Sequence, residues 1–446
     1  MTADVAEGVL TCTMDTKTAL QWHNEYLIPG VAPYYKDPLV ISHGKGHHLY
    51  DADGHEYLDF FGGILTVSIG HADPRVAQRV KEQVDKVSHT SAVYVNQPQV
   101  ELAKRIADLA PGDLRKSFFT NSGTEANETA VVLARAHTGC DEVIALRHGY
   151  SGRSSMAMSL TGQSGWRLPG ANQPGIKHAI NPYCYRCAMG HKYPDCNMMC
   201  ARDVEDIIRT STSGRIAAFL AEPIQGVGGF VTAPPEYFKI VVDIVHRAGG
   251  LFICDEVQTG WGRTGDEMFG ISHWGVVPDI TTFAKGLANG APIGATLTTP
   301  AIAESLRGYT LSTFGGNPVS CAAACATLDV ITGEDTPANC ARMGRLLREG
   351  LDALKDKYPI IGDVRGMGLM QGVELVHDRV TKRPGPDLVG QVFEETKKRN
   401  LLIGKGGLYG NVLRITPMLT ITAAEIEVAL KILDESFAVA SAAVGA

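Results

Sequence analysis

Between residues 116 and 284 short apolar runs alternate with helical stretches, and that alternation restricts the chain to an α/β fold with parallel strands. The strand-like runs are KSFFT, EVIAL, AAFLAE, LFICDE and DITTFA. The helical stretches include GTEANETAVVLARAHT after KSFFT and a helix near PPEYFKIVVDIVHRAG before LFICDE. Parallel neighbours of this kind are joined by right-handed crossovers. The 49 glycines cluster at strand-to-helix junctions, where tight turns approach a ligand. Upstream, PRVAQRVKEQVDKVS and QVELAKRIADLA read as helices. YYKDPLVISHGKGHHLYDADGHEYLDF reads as a small antiparallel meander with a turn at Asp53-Gly54. From about residue 320 the elements lengthen and carry more charge. This predicts a separate α+β domain ending in the helix TAAEIEVALKILDESFAVA. The expected division is 1–70 as an N-terminal segment joining the small domain, 71–319 as the large domain, and 320–446 as the C-terminal small domain.

In an open parallel sheet, ligands sit beyond the carboxyl ends of the strands. Asp255 and Lys285 fall there, 30 residues apart, each closing an apolar run. A buried carboxylate and a buried amine so placed look like the pair that holds pyridoxal phosphate. The acid keeps the pyridine nitrogen protonated and the amine forms a Schiff base. The plainer alternative is a structural ion pair. Glu222 in AEPIQG and the stretch Asn121-Ser122-Gly123-Thr124 lie past strand ends as well.

Ser122, Gly123 and Thr124 open a helix, whose free amides and positive dipole end favour a phosphate. Capping by Ser122 with Glu125 is the competing reading. Tyr150 follows the strand EVIAL, where its face would stack on a flat ring, with Val257 for the other face and Gln258 for the ring hydroxyl. Thr313, in the irregular loop TFGGNP, is a second phosphate ligand or part of an ordinary turn. Arg414 in NVLRITP suits an α-carboxylate through two parallel hydrogen bonds. A salt bridge with an internal acid is the alternative, and Glu222 would pair with Arg414 when no carboxylate is bound.

These pieces together resemble the class III (ω-amino-acid) aminotransferases of pyridoxal-phosphate fold type I, from about residue 33 to the end. NSGTEAN, AEPIQG, DEVQTGWGRTG, FAKGLANG, TFGGNP and LRITP stand in the family's order and spacing. PYYKDPLVISHG, YLDFFGGILTVSIGH, SHTSAVYVNQP and VRGMGLM look like the alanine–glyoxylate aminotransferase 2 branch. The resemblance implies a large domain with a mostly parallel seven-stranded sheet flanked by helices, and a smaller α+β domain built from both chain ends. It implies Lys285 as Schiff-base lysine and proton shuttle, Asp255 on the pyridinium and Gln258 on the ring hydroxyl. Gly123, Thr124 and Thr313 would hold phosphate, with Thr313 coming from a neighbouring subunit of a homodimer or dimer of dimers. Tyr150 and Val257 would sandwich the ring. Arg414 would take the α-carboxylate with Glu222 as its switching partner. Loops around Phe61, Gly62, Trp166 and Arg167 would shape the substrate pocket. Two departures are Ser151, where many members have His, and Thr416-Pro417, where the family often has two prolines.

The implied reaction moves an amino group from an amino acid or ω-amine, such as L-alanine, to glyoxylate, pyruvate or another keto acid. A lyase acting on an amino-alcohol phosphate and an amino-acid racemase are the alternatives on the same scaffold. A non-catalytic regulator is disfavoured, because both Lys285 and Asp255 are present. Net charge is −7 with no long basic run, which argues against a nucleic-acid partner. No apolar stretch reaches membrane-spanning length, and the N-terminus lacks a signal-peptide pattern, so a cytoplasmic location is expected. The ten cysteines are then free or metal-bound rather than disulfide-linked. Four of them, Cys184, Cys187, Cys196 and Cys200, stand in two close pairs with His191 between. The pattern leaves a structural zinc, disulfide or redox-sensitive thiols, and free packed cysteines all open.

Overall fold

The structure, a computed structural model, describes residues 14–30, 33–170 and 172–442. The reading of the N-terminus as lacking a signal peptide rests largely on residues 1–13, which lie outside that set. Seven strands make the central sheet: β1 Lys116–Thr120, β2 Val143–Leu146, β3 Ile176–Ala179, β4 Ala218–Ala221, β5 Leu251–Asp255, β6 Ile280–Phe283 and β7 Gly294–Thr298. They lie in the order β1-β7-β6-β5-β4-β2-β3. β2 to β6 pair in parallel. β7 runs antiparallel to both β6 and β1. Strands β2, β4, β5 and β6 are buried along their whole length, which is why VIAL, AFLA and LFIC are continuous apolar runs rather than alternating ones.

The helix Gly123–Thr138 follows β1 and packs on β6 and β7. Ser122 caps it at one end and Gly139 closes it in the left-handed region, φ 67°. The predicted helices at Pro74–Lys86, Gln97–Leu109, Tyr237–Arg247 and Ala423–Ala442 are all present. Asp73 and Asn96 cap the first two, with proline in each first turn.

The expected meander forms from Ile41–Lys45, His48–Asp51 and Glu56–Asp59. Its last strand pairs in parallel with Leu401–Leu402, which ties the N-terminal segment to the C-terminal one. A second four-stranded sheet is antiparallel throughout and takes Ile361–Met367, Met370–Leu375, Val412–Ile415 and Gly404–Gly406 in that order. Arg414 sits on its third strand opposite Gly372 and Gly404. Gly406 makes room for it, since a Cβ there would stand 2.9 Å from Arg414 Cδ. Among the described residues, no helix is long and apolar enough to cross a membrane.

Candidate active site

The carboxyl edge of the central sheet opens on one cavity, lined among others by Gly123, Thr124, Tyr150, Glu222, Asp255, Val257, Gln258 and Lys285. Eight residues expected at the site therefore meet in one place, delivered by the turns after β1, β2, β4, β5 and β6.

Asp255 ends β5 and is almost fully buried. Its Oδ1 accepts from the Val257 N–H at 3.0 Å and its Oδ2 from Asn127 Nδ2 at 2.7 Å. Burial pushes its pKa up, and the Asn127 and Val257 hydrogen bonds and the Lys285 charge pull against that. Lys285 follows β6 with φ 39°, a conformation a lysine adopts only under constraint. Burial lowers its pKa to about 8, against the opposing pull of Asp255 and Glu222. The buried amine is thus readily freed of its proton, as a nucleophile or proton carrier requires.

In the NSGTEAN turn the capping reading holds for Ser122. Ser122 Oγ accepts from the Glu125 N–H at 3.3 Å, and Glu125 Oε2 accepts from the Asn121 N–H at 2.7 Å, so Ser122 serves the cap. Gly123 and Thr124 line the cavity at the positive end of a 16-residue helix. A Cβ on Gly123 would lie 3.1 Å from Val257 Cγ2, so glycine keeps this end open.

One expected contact is absent. Glu222 does not pair with Arg414. Its Oε1 accepts from the Tyr150 N–H at 3.0 Å and its Oε2 from the Gly226 N–H at 2.7 Å. Arg414 Nη2 donates instead to Gln258 Oε1 at 3.0 Å. The guanidinium lies over the Phe61 and Phe230 rings, 5.4 and 5.0 Å from their centroids, and its Nε is buried without a partner among the described residues. Burial lowers the Arg414 pKa, while Tyr34 and Glu222 oppose the shift. Burial, then the Asp255 charge, raises that of Glu222.

Gly62, beside the Phe61 ring, has φ 56°, and a Cβ on it would meet the Val67 carbonyl oxygen at 3.2 Å. Thr416 joins the Arg414 strand to the same segment through its N–H to the Phe60 carbonyl at 2.7 Å. Proline at that position would lack the donor. Trp166 stands edge-on to Tyr150 at 5.4 Å, and Arg167 points to Asn172 at 3.4 Å. Thr313 is exposed and does not line the cavity within one chain.

The zinc expectation is corrected. Cys184, Cys187, Cys196 and Cys200 are free and, with His191, border a second small cavity. Among the described residues, however, no three Cys, His, Asp or Glu side chains converge as a metal would need. Cys196 and Cys200 instead pack against an apolar cluster. Burial raises the thiols of Cys184 and Cys200, the latter to about 12. Charge holds the loop in place. Tyr183 and Arg186 bond to Glu374, and Lys382 donates to the Tyr185 carbonyl at 2.6 Å.

Asn127 and Ser151 line the cavity without having been singled out for roles there. Asn127 stands four residues after Gly123, one helical turn on and so on the same face, a spacing that sequence alone could have flagged. Ser151 contributes its backbone: the carbonyl accepts from Asn127 Nδ2 at 3.0 Å, and the N–H donates to Thr161 Oγ1 at 3.0 Å.

Comparison with known proteins agrees with this geometry. The aminotransferase class-III family model matches residues 31–437. An Arabidopsis thaliana protein called alanine–glyoxylate aminotransferase 2 homolog 2, mitochondrial, is 44% identical over 422 residues, 94% of this chain and 86% of its own. A Bacillus anthracis aminotransferase crystal structure superposes with a TM-score of 0.90 at 32% identity, covering 95% of this chain and 99% of its own. An amine transaminase from an uncultivated Pseudomonas species, in its pyridoxal-phosphate-bound form, superposes at 0.85 with 32% identity over 92% of this chain and 96% of its own. The chain belongs to the class-III aminotransferases and is a pyridoxal-phosphate-dependent transaminase.

Proposed function

We propose that this transaminase moves an amino group from an L-α-amino acid such as alanine to glyoxylate or pyruvate, and that Arg414 takes the α-carboxylate common to both. The buried Arg414 guanidinium carries this reading. It borders the Lys285 cavity through Gln258 and, among the described residues, has no carboxylate partner and keeps a free donor on Nε. Burying such a group is costly unless a ligand completes it. The relative named for alanine and glyoxylate supports the choice of substrates. The similar amine transaminase makes an amine lacking that carboxylate a reasonable further donor.

The residues present fit the cofactor. Gly123 and Thr124 would hold its phosphate, Tyr150 and Val257 would wall its ring, and Gln258 would reach its hydroxyl. Asp255 would face its ring nitrogen, and Lys285 would carry it. When bound, pyridoxal phosphate supplies an electron sink for the substrate carbon next to nitrogen. Lys285 then moves a proton at that carbon as base and acid in turn, its pKa brought near working pH by burial. Asp255 keeps a negative charge at the floor of the site. Glu222 fixes the backbone at Tyr150 and Gly226, holding the ring wall in place.

The proposal includes a homodimer in which Thr313 enters the partner's site. Tyr309, Leu311 and Phe314 are exposed beside Thr313, and Val93, Tyr94 and Val95 are exposed on a neighbouring loop. His89 packs on Phe314 at 5.1 Å and Asn96 bonds to Gly316, so the two loops form one apolar face. Amino transfer from a panel of amino acids and amines to glyoxylate and pyruvate tests the substrate assignment. Poor turnover of every α-keto acid would reject it, and a fully active monomer in sedimentation would reject the shared site.

A further inference from the structure

Behind Asp255 lies a chain of buried hydrogen bonds that the reading so far leaves without a purpose. Thr282 Oγ1 donates to Asn127 Oδ1 at 2.8 Å. Asn127 Nδ2 then donates both its hydrogens, one to Asp255 Oδ2 at 2.7 Å and one to the Ser151 carbonyl at 3.0 Å. Thr282 is fully buried and Asn127 nearly so. Thr282 is the residue opposite Asp255 in the parallel register of β5 and β6, and Asn127 comes from the helix lying on that sheet.

We propose that Thr282 and Asn127 are positioning residues for Asp255, forming a one-way relay that keeps a donor facing its carboxylate. The relay rests on the reading of Asp255 as the partner of the cofactor's ring nitrogen. Its direction follows from what each group can do. The Asp255 and Ser151 oxygens only accept, so the Asn127 NH2 must face them. A flipped amide would set its oxygen against both. The amide oxygen must therefore face Thr282, whose hydroxyl holds it there by donating. With both its hydrogens and its oxygen engaged, Asn127 has no second orientation to adopt. The Val257 N–H fixes the other Asp255 oxygen, so the carboxylate cannot rotate. Burial disfavours an ionised Asp255, and the Asn127 donor leads the effects that offset it.

The test uses full-length protein loaded with pyridoxal phosphate and compares Thr282→Val, Thr282→Ser and Asn127→Asp with the native chain. Valine matches threonine in shape but cannot donate. Serine restores the hydroxyl. Aspartate replaces the donor with an acceptor at constant size. Three quantities are read: the cofactor dissociation constant, the pH midpoint of its visible absorbance band, and kcat separately from KM. Expected for Thr282→Val is cofactor binding weaker by about tenfold, a displaced midpoint, and a fall in kcat without a matching change in KM. Serine should restore all three, and Asn127→Asp should lose more than Thr282→Val. If Thr282→Val or Asn127→Asp binds and titrates within about twofold of native, or serine fails like valine, the relay is only packing and the proposal falls. A native protein that takes up no pyridoxal phosphate would instead remove the cofactor reading, and the relay with it.

Discussion

The Arg414 guanidinium donates to Gln258 rather than to Glu222, at 3.0 Å, with the Phe61 and Phe230 rings against it. In this state the arginine is held by a neutral amide and aromatic faces, so a substrate carboxylate need not displace an internal acid. Arg414→Ala should therefore weaken α-amino and α-keto acids far more than simple amines, by about 2–5 kcal/mol in kcat/KM terms. Parallel kinetics with pyruvate as acceptor and with an amine donor check this. Equal losses for both would make Arg414 structural.

Asp255→Asn keeps the size of the side chain but has a single oxygen, so it can accept from Asn127 or from Val257 but not from both, and it loses the negative charge at the cavity floor. Turnover should fall by several powers of ten, because the electron sink depends on that charge. A loss smaller than about tenfold, or roughly 1.4 kcal/mol of barrier, would count against the role.

The Lys285 amine should titrate early in the cofactor-free protein. Burial disfavours its charged form, so the proton leaves near pH 8 instead of in the ordinary range near 10.5. Between those values the folded chain binds fewer protons at this site than the unfolded one. The penalty of burying the cation is thus full below about pH 8 and relieved as pH rises. Acylation of Lys285 by a small amine-reactive anhydride, which loses a carboxylate, followed by mass spectrometry against pH, should be half-maximal near 8. An inflection in the ordinary lysine range would contradict the burial argument.

Glu374 is fully buried and accepts from Arg365 at 2.7 Å, from Asn411 at 3.2 Å, and from Arg186 and Tyr183. Glu374→Gln leaves two largely buried guanidinium groups without their common counter-charge. It should cost about 3–5 kcal/mol of stability in chemical denaturation. Arg365 leads the effects that hold the Glu374 pKa below its ordinary 4.5 despite burial. The difference between native and variant should therefore be full at neutral pH and shrink as acid titrates the carboxylate below that value. A variant as stable as native at pH 7 would show the network to be dispensable.

The sheet was legible in the sequence where burial on both faces makes a strand a continuous apolar run, as at VIAL and LFIC. Strand β7 was not. GATLT carries a glycine and two threonines, because Gly294 packs against the Ser122 carbonyl, where a Cβ would come within 2.2 Å, and Thr296 bonds to Ala126. The residues gathered on the cavity were legible because each follows a strand end. The partner of Arg414 was not, because charge complementarity suggested Glu222 while the backbone amides of Tyr150 and Gly226 already occupy it. The cysteine spacing suggested a metal, but spacing alone does not bring three ligands to one point, and among the described residues none so converge.

The most direct test is the absorbance spectrum of Lys285→Ala after incubation with pyridoxal phosphate and removal of the excess. The native protein should retain the cofactor and show the band of a lysine-bound, protonated imine at the edge of the visible range. The variant should lack that band and lose amino transfer. A variant that keeps the band and turns over like the native protein would contradict the assignment of Lys285, and with it the account of the site.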